Sequence, residues 1–374
     1  MAQAHGTNVS TLFVGQALKR YFPETFFADI THREFKAPGS NIEAKITEQG
    51  QQFQILDITG GTLQNYTGAD LTATEPTETR SLLTIDQTRA VLELIKDINT
   101  FKSQVKNPKF SVVEQLKNNL KQFTEGYILS FWSDAASGNW IGTDYTTGTV
   151  AVANTTGVVT GTGTTFTAAM VGKPFRAAGH TVWYRVSAFS STTSITIIDD
   201  SDDEAAAYTG GAISAGATYT IQANTALSVT GSNVYNVLVD LGTMLDKGDV
   251  PAEDRYIVLP HDAKKSIMAS AKTNQTLIEV HDAQVVKGML YKETVSGLKV
   301  YFSRFVPGNN TSGYNVIAGH KNFIGAGFGM ISSLEEIKPE KNFGIIVKGL
   351  FGCGAKVADG RRKFGCHLFA TFAA

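Results

Sequence analysis

The feature that most constrains the fold is an abrupt change of composition near residue 146. From there to residue 222 charges thin out, and Thr, Gly, Ala, Val and Ser dominate. Just upstream, residues 110–134 carry Val113, Leu116, Leu120, Phe123, Tyr127 and Phe131 at spacings of three and four, the period of one helix face. A chain holding both patterns is neither all-helical nor all-β, so the fold class expected is α+β.

Within the low-charge stretch, strand candidates follow at short spacing: Thr149–Val152, Val158–Gly161, Val182–Val186, Ser194–Ile198 and Ala217–Ile221. Val182, Tyr184 and Val186 fall on one face, Trp183 and Arg185 on the other. The first and last of these strands can pair and bring the chain back to its entry point, the behaviour of a small β domain inserted into a host. A β-barrel or sandwich over 146–222 is expected.

The helical run is preceded by Pro108, and Ser111 followed by Glu114 has capping-box spacing. Further helices are expected over 232–246 and over His261–Ala271, the latter capped near Asp262. Alternation of Ile42, Ala44 and Ile46 and then Phe53 and Ile55 reads as two strands about a turn at Gln49-Gly50-Gln51. Residues 59–80 read as loop, and 81–98 return to strand character without excluding helix. Tyr256–Leu259, Leu298–Val306, Asn315–Ala318, Ser333–Lys338, Phe343–Val347, Leu350–Val357 and Gly365–Phe372 read as later strands. Residues 1–35 mix polar residues with Phe13, Tyr21, Phe22, Phe26, Phe27 and Phe35, with a short amphipathic helix over 9–20. An aromatic-rich segment without its own core lies along something else.

Charge excludes little by itself: the formal net charge is −1 over 374 residues, so no global basic excess advertises nucleic acid. No basic n-region followed by an apolar run opens the chain, and no stretch nears the ~18 apolar residues of a membrane span, so neither a signal peptide nor a membrane partner is expected.

Candidate chemistry is sparse. Gly161-Thr-Gly163-Thr-Thr165 lacks the Gly-Lys-Ser/Thr ending of a phosphate loop. Gly325-Ala-Gly327-Phe-Gly329 has the wrong spacing for a dinucleotide fingerprint. Both read as turn or close-packing glycines. The acidic run Asp199, Asp200, Asp202, Asp203 and Glu204 offers hard oxygen ligands, yet it lacks the glycine and the terminal glutamate of a calcium loop. A solvated loop is the favoured reading, with those five residues kept as weak metal candidates. The seven histidines are scattered, and no nucleophile elbow stands before a helix. Cys353 and Cys366 read as buried thiols. Lys356, Arg361, Arg362 and Lys363 form a basic turn that either contacts nucleic acid or an acidic neighbour or is solvated. No catalytic residue, cofactor-binding residue or cofactor is assigned, and an enzyme is not expected.

Several short segments, in this order, resemble the major capsid proteins of tailed bacteriophages that share the HK97 fold. They are Leu83-Thr-Ile-Asp-Gln87 followed by Lys96-Asp-Ile98, the 110–134 helix, Leu245-Asp-Lys-Gly-Asp-Val-Pro-Ala-Glu-Asp-Arg-Tyr-Ile-Val-Leu-Pro260, Ile317-Ala-Gly-His-Lys-Asn322 and Lys348-Gly-Leu-Phe-Gly-Cys-Gly354. The resemblance implies an N-terminal arm over 1–40, an E-loop hairpin over 41–80 and a P-domain with its spine helix at 110–134 over 81–145. The β insertion would occupy 146–222, and an A-domain with returning P-domain strands 223–374. It also implies a shell subunit that self-assembles into hexamers and pentamers of an icosahedral head enclosing double-stranded DNA. Homo-oligomeric contacts, a separate scaffolding protein, portal and decoration proteins and non-specific DNA contact would be its partners. Assembly would take place in the host cytoplasm and the product would reside in the virion. An encapsulin-type nanocompartment shell is the alternative within the fold. A β-rich glycan-binding tail protein or adhesin is the alternative outside it.

Overall fold

The computed structural model describes residues 30–32, 50–59, 75, 77–96, 108–200, 207–270, 294–295, 297–338 and 344–373. Most of the 1–40 arm, Ile42, Ala44, Ile46 and residues 60–74 lie outside them. The chain divides into two compact units: Met1–Thr124 with Ile324–Gly360, and Glu125–Phe323 with Arg361–Ala374.

The first unit is built on two long strands, Ile324–Ile337 and Gly344–Lys356, of 14 and 13 residues. They pair antiparallel. Gln87–Lys96 extends the sheet beyond Gly344–Lys356, and Thr31–His32 adds a short parallel strand on the other side. The Gly325–Gly329 run is therefore strand, with Gly327 opposite Gly354 and Gly329 opposite Gly352. Gly354 has a packing reason: a Cβ there would run into the carbonyl of Thr84. Alternation sends Val347, Phe351 and Cys353 to a buried face. Leu92, Leu94 and Ile337 are exposed, with Leu94 paired to Ile346 and Ile346 to Ile337 across the sheet.

A two-stranded ribbon accompanies this sheet. Gln52–Thr59 pairs antiparallel with Thr77–Thr84; the strand expected before Gly50 lies outside the described residues. Gly50 turns with φ +81°, and Gly50 and Gln51 close onto Ile85 through two backbone hydrogen bonds of 2.8 and 2.9 Å. The expected loop over 59–80 thus ends in strand from Thr77. The partner of Phe53 and Ile55 is a stretch whose own polar sequence hides its pairing. Phe53, Ile55, Leu83, Ile85 and Ala358 form the ribbon's buried cluster.

Helix α1, Pro108–Leu129, continues as a 3₁₀ turn over Ser130–Asp134. It begins three residues earlier than the Ser111 cap suggests, with Ser111 inside it. Its buried face is also rotated. Thr124, Glu125, Ile128 and Leu129 are buried, whereas Leu120, Phe123, Tyr127 and Phe131 are half-buried. Two polar residues sit on the buried face, so apolar periodicity alone points to the neighbouring one. Each has a partner: Thr124 Oγ1 donates to the Leu120 carbonyl at 2.8 Å, and Glu125 Oε2 accepts from Ser303 Oγ at 3.0 Å.

The second unit holds two sheets. Residues 143–225 form one antiparallel sheet of eight strands, in the order Ile213–Ala217, Thr149–Val152, Val158–Thr162, Ser194–Asp199, Tyr184–Ser191, Pro174–Ala177, Tyr219–Thr225 and Thr143–Tyr145. Its inward residues make one cluster that includes Val150, Val159, Phe166, Phe175, Val186, Ile195, Ile197 and Ile221. Tyr184 and Val186 are buried as alternation requires, but Val182 precedes the strand and is exposed. The expected last strand Ala217–Ile221 lies mostly in Tyr219–Thr225, which pairs with Thr143–Tyr145 and Pro174–Ala177, while Thr149–Val152 pairs with the preceding strand Ile213–Ala217.

The second sheet, here called the C-terminal sheet, runs Leu227–Val229, Gly365–Phe372, Gly313–His320, Arg255–Leu259, Leu298–Phe302 and Thr294–Val295. Gly308–Asn309 and Trp140–Ile141 pair at its sides. All five residues of Arg255–Leu259 are buried, as a central strand covered on both faces demands. Helix α2, Val234–Lys247, and helix α3, Ala263–Ala269, pack on Gly365–Phe372 and on each other. Asp262 stands at the N-cap position of α3 but makes no capping bond; it accepts from the Tyr314 hydroxyl at 2.7 Å.

Candidate functional site

The densest polar constellation among the described residues is the junction where the 143–225 sheet meets the C-terminal sheet. Its centre is Asp200, at the end of Ser194–Asp199. One carboxylate oxygen accepts from Arg185 Nε at 3.1 Å and Nη2 at 3.0 Å, and from Arg362 Nη2. The other accepts from the Ser137 amide at 3.0 Å. Arg185 lies on Tyr184–Ser191, Arg362 in the 3₁₀ turn Asp359–Phe364, and Ser137 in the loop after α1. The guanidiniums reach further: Arg185 Nη1 donates to the Ser133 carbonyl at 2.6 Å, and Arg362 Nε to the Asp134 carbonyl at 3.1 Å.

The energetics are those of a nearly buried ion triad. The side chains of Asp200 and Arg362 are 11% and 8% exposed. Burial alone would raise the Asp200 carboxyl, but the two guanidiniums and the Ser137 amide outweigh it and hold its pKa below the usual carboxylate range. The solvated reading of the acidic run fails for Asp200, because its oxygens are already committed. Asp199 is committed too, accepting from Thr209 N at 3.0 Å and Thr209 Oγ1 at 2.6 Å. Asp202, Asp203 and Glu204 lie outside the described residues. Among the described residues no group of His, Cys, Asp or Glu is arranged to hold a metal ion. Of the alternatives for the basic turn, Arg362 takes the acidic neighbour, Asp200 of its own chain, and is buried and not solvated.

An aromatic layer adjoins the triad. His367 on Gly365–Phe372 sits 4.5 Å from both the Trp132 and the Trp140 rings. Its Nε2 lies 3.1 Å from Asn315 Oδ1, and its Nδ1 is buried without a hydrogen-bond partner. Burial, with Lys173 and Arg185 nearby, pushes its pKa down to about 3. Lys173, from the 143–225 sheet, lies 5.3 Å from the Phe369 ring and donates to the carbonyls of Ala223 at 2.9 Å and Asn224 at 2.7 Å. Burial lowers its pKa to about 8, so it remains an ammonium at neutral pH. Arg185 also stands 5.6 Å from the Trp140 ring.

At this junction Asp200, Arg185 and Arg362 are engaged in ion pairing and Lys173 in hydrogen bonds to carbonyls, a chemistry of holding. Sequence reading missed Arg185, Arg362, Lys173 and His367 as a group, because up to 228 positions separate directly bonded partners. One signal pointed towards two of them: Lys173 and Arg185 are rare cations in a stretch otherwise poor in charge.

Cys353 and Cys366 are free, fully buried thiols. Burial pushes both up to about 12. Native protein is therefore expected to resist a thiol reagent at pH 8 and to label at both positions only in denaturant, with reductant leaving its stability unchanged. Rapid labelling of the native state, read by mass spectrometry, would contradict this.

No known protein family matches the sequence, and no curated protein matches it. Solved structures do match. A structure from Mycobacterium phage Che8 is 14% identical, covers 92% of this chain and 91% of its own, and gives a TM-score of 0.50. The capsid of cyanophage P-SCSP1u is 14% identical over 90% of this chain and 93% of its own, with a TM-score of 0.49. The virus-like particle of Pyrococcus furiosus is 9% identical over 98% of this chain and 100% of its own, with a TM-score of 0.45. The Che8 likeness runs over nearly the whole chain and shows a shared fold. Over its described residues this chain has a mixed α+β, strand-rich fold with few helices, shared with the Che8 phage structure.

Proposed function

We propose that this chain is a major capsid protein whose copies build an icosahedral phage head of hexamers and pentamers around double-stranded DNA. The observation that carries the reading is the fold, shared with a phage structure along more than nine-tenths of both chains. The physics of the first unit supports it. A two-stranded ribbon is marginal by itself in water, and the buried cluster among its described residues is small. The accompanying sheet leaves Leu92, Leu94 and Ile337 exposed, and Leu82 of the ribbon is exposed as well. Such surfaces are satisfied by neighbouring subunits, in obligate interfaces of ~2,000–5,000 Å².

In this reading 1–40 is the N-terminal arm, 41–80 the E-loop hairpin and 81–145 the P-domain with α1 as spine helix. Residues 146–222 are an inserted β domain, and 223–374 the A-domain with returning P-domain strands. The chain is structural and not catalytic. Scaffolding, portal and decoration proteins, assembly in the host cytoplasm and residence in the virion belong to the same proposal. The eight-stranded 143–225 sheet favours a virus head over an encapsulin-type shell, which needs no such addition.

Purified protein, with a scaffold supplied, is expected to form closed shells or capsomers by negative-stain microscopy. Sedimentation as only a 40.2 kDa species across capsid-forming salt and scaffold conditions would refute the proposal.

A further inference from the structure

We infer that the junction between the two sheets of the second unit is an acid-released latch, with His367 as the trigger and Lys173 and Arg185 as the groups that push. The placement of charge is asymmetric. Arg185 lies on Tyr184–Ser191 and Lys173 directly precedes Pro174–Ala177, both strands of the 143–225 sheet. On the C-terminal sheet, His367 packs 4.5 Å from the Trp140 ring and 6.4 Å from the Phe369 ring, over which Arg185 and Lys173 stand at 5.6 and 5.3 Å. The groups packed around the imidazole are Trp132 from the 3₁₀ turn after α1, Trp140 from the strand pairing beside it, Phe369 stacked along its own strand, and Asn315 from the neighbouring strand. None of these four is a carboxylate. The carboxylate of this junction, Asp200, is already shared by Arg185 and Arg362.

A proton on His367 Nδ1 therefore makes a third positive charge across the interface without a counter-ion, in a site walled by two indoles. Coulomb repulsion and desolvation act together there, and both are relieved when the sheets part and water enters. The sign follows from linkage. The folded value near 3 lies below the ~6.5 of an exposed histidine. Stability from the neutral form is complete above about 6.5 and is lost as pH falls from there towards 3. Asp200, held below the ordinary carboxylate range, keeps its charge through the upper part of that window. The first event on acidification is thus loss of the aromatic layer, before loss of the triad. The other described histidines of this unit lie elsewhere: His180 contacts Tyr184 and Tyr208 within the 143–225 sheet, His261 stacks on Phe302, and His320 lies beside Phe364.

The test follows the soluble full-length chain from pH 7 to pH 3.5, and does not depend on whether the chain builds shells. With Trp183→Phe in every protein compared, including the one otherwise wild type, tryptophan emission and near-ultraviolet dichroism report Trp132 and Trp140, far-ultraviolet dichroism reports the sheets, and brief proteolysis reports the links between them. Wild type is expected to show a red-shifted emission and new cleavage near residues 141–143 and 225–227 at a pH where the far-ultraviolet signal is intact. His367→Phe should lose that transition. Asn315→Asp keeps the imidazole and sets a carboxylate beside Nε2, and should move the transition to lower pH. His180→Gln should leave it in place. If emission and far-ultraviolet signals collapse at one midpoint, or if both His367→Phe and Asn315→Asp titrate like wild type, His367 is only a core residue and the latch does not exist. Should His367→Phe fail to fold, Asn315→Asp and the wild-type comparison still decide the matter.

Discussion

Asp200→Ala is expected to destabilise the second unit by about 3–5 kcal/mol, the cost of removing one member of a buried ion cluster and leaving its partners uncompensated. The loss is large because two guanidiniums, Arg185 and Arg362, converge on the same carboxylate oxygen and would face each other without it. The Ser137 amide would lose its acceptor as well. Urea denaturation at pH 7, compared with wild type, measures the effect, and a change under 1 kcal/mol would show that water replaces the carboxylate freely. The pH dependence has a defined sign. The folded carboxyl titrates below its unfolded value, so this contribution is present above the unfolded carboxylate pKa of ~3.9 and is lost as pH falls through the folded one. Asp200→Ala should therefore flatten the acid limb of the stability curve.

Leu92→Glu is expected to leave the subunit folded and to abolish its assembly. Leu92 is 73% exposed on the strand Gln87–Lys96, and substitutions at such positions change stability by about 0.5 kcal/mol or less. Its register partner is Lys348, so the new carboxylate meets a cation within its own sheet. In the proposed shell the same side chain would be buried against a neighbour in every copy, where taking the new carboxylate and Lys348 out of water costs more than their pairing returns. Unchanged urea midpoint together with a shift from shells to slowly sedimenting species is the predicted pair of results. Shells formed at wild-type protein concentration would mean that this face is not an interface.

Much of the second unit was legible in order along the chain. Thr149–Val152 and Gly365–Phe372 occupy the expected residues. The buried run at Tyr256–Leu259 and the helix near 232–246 fall within a residue or two of the structure. These elements declare themselves because alternation or a 3.6-residue period is written in side chains that all face one core. In α1 the period was real but the face was not, because Thr124 and Glu125 occupy buried positions with private hydrogen bonds. Near Gly50, alternation marked Phe53 and Ile55 as strand but not Thr77–Thr84 as a partner of that strand, since backbone hydrogen bonds carry no side-chain signature.

The sequence by itself determined the class of fold, the low-charge β segment and the likeness to phage capsid proteins, because these rest on local periodicity, composition and segment order. Only the tertiary structure decided what the charges do. Asp200 read as a solvated acid, Arg362 as part of a basic turn and His367 as one of seven scattered histidines. Folding brings all three to a single junction with Arg185 and Lys173. The reason is physical: a charge's pKa, partners and energetic weight are set by the dielectric and the neighbours it meets after burial, and those neighbours come from parts of the chain that no local pattern relates.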